Sequence, residues 1–123
     1  MAWEFSGDKP IYSQLVERLQ RRLVTGEYAP GSRLPSVRDL AEEAAVNPNT
    51  MQRALAELED QQLVFSQRTA GRFVTQDGER LTALGRDMAR QRLDRFLAEM
   101  GELGYGREAV LRLLTSELKE ETT

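Results

Sequence analysis

The chain is 123 residues long, which is room for one domain, or for one small domain with an appendage, and for a real hydrophobic core. Apolar residues make up 40% and charged residues 30%, a soluble globular balance, and no apolar run approaches the ~18 residues of a membrane span. There is no cysteine and no histidine, which removes disulfides, zinc–thiolate sites, thiol nucleophiles, the commonest general base and every Ser–His or Cys–His arrangement. No enzyme activity, catalytic residue, metal or cofactor is therefore expected. Met1-Ala2-Trp3-Glu4-Phe5 offers neither a basic stretch nor an apolar run, so no secretory signal is expected.

Net charge is −3, from 17 basic and 20 acidic residues, which on its face argues against a nucleic-acid binder. Distribution matters more than the sum. Val46 to Ala56 holds no acid and one base, Arg53; Gln61 to Gln76 holds no acid and two bases, Arg68 and Arg72. Two windows are thus cleared of negative charge inside an acidic protein, either by chance or for an anionic partner.

Asp8 and Pro10 mark a helix start, as a capping acid and a first-turn proline. Ile11, Leu15, Leu19 and Leu23 follow at four-residue spacing and predict an amphipathic helix ending near Thr25-Gly26. Tyr28-Ala29-Pro30-Gly31 is a turn, and Arg33-Leu34-Pro35 a short extended piece. Ser36 caps a second helix with Val37, Leu40, Ala41 and Ala44 inside, stopping near Ala45-Val46. Asn47-Pro48 then caps and opens a third helix. Its inner face is Met51, Ala54, Leu55 and Leu58; its outer face is Asn49, Thr50, Gln52, Arg53 and Ala56. Leu63–Ser66 and Arg72–Thr75 have strand composition around the polar tip Gln67–Gly71. Helix, helix, tight turn, helix, hairpin is the layout of a winged helix-turn-helix.

From Asp77 the pattern becomes a helix of more than 20 residues carrying Leu81, Leu84, Met88, Leu93, Phe96, Leu97 and Met100. Gly101, Gly104 and Gly106 break it, and Arg107 to Lys119 forms a last helix with Val110, Leu111, Leu113, Leu114 and Leu118. Such a tail is too small for its own core, so its apolar stripe packs either on a second copy or back on the N-terminal part. The expected fold class is mainly α with a small β-hairpin. A winged helix-turn-helix DNA-binding domain would occupy 1–76, and a two-helix dimerisation tail 77–123.

Three strings of residues, taken together, resemble a known family. Pro10-Ile11-Tyr12-x-Gln14-Leu15 and Gly26-x-Tyr28-x-Pro30-Gly31-x-x-Leu34-Pro35-Ser36-x-Arg38-x-Leu40-Ala41 are similar to the start of GntR-family transcriptional regulators. Val46-Asn47-Pro48-Asn49-Thr50-x-x-x-Ala54-Leu55-x-x-Leu58, Leu63-Val64 and Gly71-x-Phe73-Val74 continue the match through roughly residues 10–75. The Asn-Pro-Asn-Thr string and the short tail resemble the YtrA subfamily. In two places the chain departs from the pattern. Gln62 stands where the family has glycine before the Leu-Val pair, and Thr69 where the wing has its first glycine.

The resemblance implies a bacterial, cytoplasmic homodimer whose third helix enters the major groove of double-stranded DNA at an inverted repeat, and it implies a repressor. Asn49 and Gln52 are the candidates for base contacts, with Thr50 and Arg53 for phosphate or base. Asn47 is a cap, a phosphate contact, or both. Arg38 is either a DNA contact or the partner of Asp39 or Glu42. Ser36 is a cap first and a phosphate ligand second, and Arg33 a further phosphate candidate. Arg68, Thr69, Gly71 and Arg72 would make backbone or minor-groove contacts, or form a solvated tip. Tyr12 and Tyr28 are assigned to packing. The interface candidates are Leu81, Leu84, Met88, Leu93, Phe96, Leu97, Met100, Val110 and Leu114. Arg80, Arg86, Arg90, Arg92 and Arg95 alternate with acids and form a solvated face. Glu42-Glu43 and Glu120-Glu121 are neighbours pointing about 100° apart on a helix, so neither pair converges on an ion. A small-molecule effector is left open. The alternative class is a winged-helix interaction module or heterodimer partner without an operator of its own.

Overall fold

A computed structural model describes residues 3–122, with side chains described as far as Lys119. Met1, Ala2 and Thr123 lie outside the described residues, and the side chains of the Glu120-Glu121 pair are not described. The order is α1 (Ile11–Val24), α2 (Val37–Ala44), α3 (Pro48–Asp60), β1 (Val64–Gln67), β2 (Gly71–Val74), α4 (Gly78–Glu102) and α5 (Arg107–Thr122). This is the mainly helical fold with one antiparallel hairpin that the sequence predicts.

α1 begins one residue after Pro10, which has extended ψ and precedes the helix rather than opening its first turn. Asp8 does not cap it: an N-cap must directly precede the first helical residue, and Asp8 instead accepts a hydrogen bond from Ser6 Oγ. Gln14 ties the incoming segment down, accepting from Ser6 N at 2.8 Å and donating to Ser6 O and Lys9 O at 2.9 Å. Leu15, Leu19 and Leu23 are buried, but Ile11 is 46% exposed. Four-residue spacing drifts by about 40° per step on a 3.6-residue helix, so the stripe's first member rotates out and Val16 takes the inner face.

Ser36 Oγ accepts from Asp39 N at 3.1 Å and caps α2; Asn47 Oδ1 accepts from Asn49 N at 2.8 Å and caps α3, with Pro48 in the first turn. Between them Ala45 takes φ 58°. Its N–H donates to Glu42 O and that of Val46 to Ala41 O, which closes α2 in a Schellman turn. α3 ends the same way. Gln62 has φ 62°, its N–H bonds Glu59 O at 2.9 Å, and Leu63 N–H bonds Leu58 O at 3.0 Å. Leu58 and Leu63 are both buried, the apolar pair that accompanies this motif.

Each hairpin strand is displaced by one residue from its sequence prediction, in register Val64↔Val74, Phe65↔Phe73, Ser66↔Arg72 and Gln67↔Gly71. The extended piece before α2 adds a third edge: Arg33 bridges Phe73, and Leu34 N–H donates to Arg72 O at 2.8 Å. Period-two alternation then puts Val64 and Val74 into the core with Leu15, Leu19, Leu40, Met51, Leu55 and Leu58.

The chain forms two compact units, 1–85 and 86–123, so the first unit reaches about two turns of α4 beyond the expected boundary at residue 76. The reason is Leu81, buried in the first unit's core, and Leu84, packed against it. Gly85 permits the approach: a Cβ there would lie 2.9 Å from Val24 Cγ1. Both leucines are therefore removed from the expected partner-facing stripe. In the second unit Val110 is 3% exposed and has little surface left to offer a partner.

Candidate nucleic-acid interface

The start of α3 is presented by its own cap. Asn47 spends its side-chain oxygen on Asn49 N, so capping accounts for that residue. Pro48 has no N–H, the N–H of Asn49 is taken by that cap, and those of Thr50 and Met51 bond Asn47 O at 3.0 and 3.2 Å, so this end offers a phosphate the positive end of the helix dipole rather than free N–H groups. Asn49 and Gln52 are exposed, and their side chains have no hydrogen-bond partner among the described residues. Thr50 is half-buried. The structure brings Asn49, Gln52 and Arg53 onto one exposed stretch of α3 free of carboxylates.

Arg53 is positioned rather than loose. Its guanidinium carbon lies 4.1 Å from the Tyr12 ring centroid, a cation–π contact. The Tyr12 hydroxyl donates to Glu57 Oε1 at 3.0 Å, and that bond, followed by burial, raises the phenol's pKa. Tyr12 is thus more than packing: it is the platform that orients a basic side chain of α3.

Arg38, on the exposed face of α2, reaches Glu42 only at 4.0 Å with 86% of its side chain exposed, a loose helical pair of little energetic weight. Ser36 is occupied as a cap. Arg33 lies against the wing: a Cβ on Gly71 (φ 101°) would sit 3.0 Å from Arg33 Nε, so glycine there serves both the turn and this contact. Arg68 is exposed at the hairpin tip. Arg72 is different. Its Nε donates to Glu59 Oε1 at 2.7 Å and only 17% of its side chain is exposed. The same carboxylate oxygen accepts from Ser66 Oγ. Burial pushes the Glu59 pKa up, but the bonds from Ser66 and Arg72 together hold it below the ordinary carboxylate range.

A second polar cluster, not foreseen from the sequence, ties the N-terminal arm to α1 and α2. Arg22 pairs with Glu43 and, at 3.2 Å, with Glu27; its Nη1 donates to Tyr28 Oη at 2.6 Å. The Trp3 ring lies 4.6 Å from the same guanidinium, and its indole N–H donates to Glu43 Oε2 at 2.9 Å. The sequence signal was the pair of aromatic residues, Trp3 and Phe5, in the arm before α1.

A family model, described as "Bacterial regulatory proteins, gntR family", matches residues 11–74, from the first residue of α1 through the last of β2. The chain belongs to the GntR family. YhcF of Bacillus subtilis, an HTH-type transcriptional regulator, is 39% identical over 88% of this chain and 89% of its own length. The transcriptional repressor YtrA of the same organism is 34% identical over 57% of this chain and 54% of its own length, so the chain matches about half of that relative. Among solved structures, a GntR-family regulator from Listeria monocytogenes is 39% identical with TM-score 0.84, covering 91% of this chain and 98% of the other. The DNA-binding domain of AraR, solved in complex with an operator, is 26% identical with TM-score 0.55, covering 61% of this chain and 99% of the other.

This GntR-family winged helix accommodates both of its departures in place. Gln62 and Thr69 adopt φ 62° and 81°, the left-handed backbone that glycine supplies more cheaply. In the second unit Leu93, Phe96 and Leu114 are 47%, 36% and 37% exposed, while Met88, Leu97 and Met100 are half-buried. Leu103, Tyr105, Leu111 and Leu118 are exposed besides. Asp94, Leu97, Gly101, Tyr105 and Arg107 border an open cleft of about 460 Å³. Among the described residues no helix is long and apolar enough to cross a membrane.

Proposed function

We propose that this GntR-family regulator binds an inverted-repeat operator as a homodimer and acts as a repressor. The observation that carries the reading is the exposed start of α3, where Asn49, Gln52 and Arg53 lie on a stretch free of carboxylates, while Arg33, Arg38 and Arg68 are exposed elsewhere in the first unit. Amide side chains read adenine and arginine reads guanine or phosphate in a major groove. A two-fold pair of α3 helices would meet half-sites about 34–36 Å apart, one DNA turn. Dimerisation through the tail is supported by Leu93, Phe96, Leu111, Leu114 and Leu118, more exposed apolar surface than a 38-residue helical pair keeps in water without a partner. Repression is the direction favoured by the relative YtrA, itself named a repressor. The cleft of the second unit is the opening in which an effector would be sought.

The test is selection of bound duplexes from a random DNA pool at fixed moderate salt, followed by a salt titration on the enriched sequence. An inverted repeat whose affinity falls steeply with salt is expected, and Gln52→Ala should weaken it. A protein that enriches no duplex, with or without cell metabolites, overturns the reading. The tail is tested in the full chain. Phe96→Glu with Leu114→Glu should give a monomer by sedimentation; an unchanged dimer overturns the interface.

A further inference from the structure

We infer that Arg72 is not a DNA ligand of the wing but one half of a strut, and that Glu59 of α3 is the positioning residue that fixes the wing against the recognition helix. The inference rests on the DNA-binding reading above. Its ground is the register of the hairpin. Ser66 and Arg72 are directly opposed, two residues beyond the buried pair Val64 and Val74 on the same face. They therefore continue the inward face of the wing, and what that face meets at this point is the last turn of α3. Glu59 receives both of them on one oxygen, Arg72 Nε at 2.7 Å and Ser66 Oγ beside it.

Three features distinguish this arrangement from a surface ion pair. Arg72 keeps only 17% and Glu59 31% of its side chain exposed, so both are largely withdrawn from solvent screening. The carboxylate also accepts a hydroxyl hydrogen bond, which fixes its rotamer. The linked elements are the two that would enter DNA together, one helix and one hairpin. Arg72 is thereby neutralised before any phosphate arrives. The opposite face of the wing carries Gly71 and the Arg33 side chain laid over it. With Arg68 at the tip, Arg33 supplies the uncompensated positive charge of this region, and the wing's contribution to phosphate binding is assigned to these two.

The measurement is binding of a fluorescein-labelled duplex carrying the sequence enriched in the selection, titrated with salt, for wild type, Arg72→Ala, Arg68→Ala, Glu59→Ala and Glu59→Gln. Removing a phosphate contact lowers the slope of log affinity against log salt by about 0.9 per protomer. Arg68→Ala is expected to lower it by that amount. Arg72→Ala is expected to weaken binding roughly 3- to 10-fold with the slope unchanged, the size of one lost positioning interaction. Glu59→Ala should weaken it similarly, and Glu59→Gln, which keeps an acceptor for Ser66 and Arg72, should recover most of the loss. A readout without DNA accompanies it: amide hydrogen exchange across residues 64–74 should accelerate in Glu59→Ala and Arg72→Ala at unchanged exchange in α1. A slope lowered by about 0.9 per protomer in Arg72→Ala, or hairpin exchange unmoved in Glu59→Ala, overturns the strut. A wild-type protein that enriches no duplex overturns the operator reading instead, and the exchange experiment still decides whether the strut exists.

Discussion

Replacing Gln62 by glycine should make the protein more stable. Gln62 is the left-handed residue of the turn that ends α3, at φ 62°, and the two hydrogen bonds of that turn run through backbone atoms that glycine retains. A side chain in this region costs about 1–2 kcal/mol through the clash of Cβ with the following carbonyl. Glycine removes that cost but gives the unfolded chain more freedom, about 0.5–1 kcal/mol in the other direction. The net gain is about 0.5–1 kcal/mol. Nothing else is lost, since the Gln62 side chain is exposed and has no hydrogen-bond partner among the described residues. On the scale of a small domain, such a gain raises Tm by roughly 2–8 °C.

The adjacent residue provides the control. Gln61 has φ −81°, an ordinary right-handed value; its Nε2 donates to Glu57 Oε2 at 3.0 Å and its Oε1 accepts from Gln20 Nε2 at 2.8 Å. Gln61→Gly should therefore lower Tm. Both variants are read by far-UV circular dichroism at one protein concentration, because self-association makes Tm depend on concentration. Should Gln62→Gly leave Tm unchanged or lower it, the strain argument is wrong, whatever Gln61→Gly does.

Three further outcomes are expected. Ser36→Ala and Asn47→Ala each remove one cap bond and should cost about 1 kcal/mol, seen as a lower urea midpoint at unchanged slope. Leu55→Ala empties a fully buried core position and should cost about 2–5 kcal/mol in the same assay. The Glu43 carboxyl is held below its ordinary range, chiefly by the hydrogen bond from Arg22 and then, against burial, by the Trp3 indole. With the folded value depressed, the unfolded chain binds the extra proton first on acidification. The stabilisation is thus complete above the ordinary carboxylate value and disappears as pH falls through the folded one. Glu43→Gln should be less stable than wild type at pH 7 and converge on it as pH falls through the depressed folded value; a gap that persists in acid would mean the loss is steric.

Most of the first unit was legible because its signals are local. Ser36, Asn47 and Pro48 announce helix starts through chemistry that acts within three residues, and the structure uses all three as read. The core faces of α2 and α3 follow from apolar residues set three and four apart, which keeps pace with the 3.6-residue turn. Along α1 the strict four-residue spacing drifts, and Ile11 fell off the stripe. The domain boundary was misplaced for a related reason. The composition changes at Asp77, but a core closes where side chains fit, and Leu81, Leu84 and Gly85 still fit the first unit. Ala45, left-handed without being glycine, carries no sequence signal, because surrounding hydrogen bonds impose a backbone that the residue type disfavours, whereas Thr69 was marked only by standing where the family's wing has glycine.

Of the candidate site, charge counting along the chain did not show that Arg72 is already paired with an acid. Along the chain, Arg72 stands inside an acid-free window of 16 residues, Gln61 to Gln76, and reads as an available cation. In space the window is not acid-free. β2 returns antiparallel beside the end of α3, so Glu59, two positions outside the window, comes to face the inward side of the hairpin. Which side is inward depends on strand phase, and a slip of a single residue exchanges the two faces. A linear reading that places each strand to within a residue cannot tell a strut from a ligand. It is the phase, fixed here by Val64 and Val74 entering the core, that turns Arg72 toward Glu59 and leaves Arg33 and Arg68 as the cations facing outward.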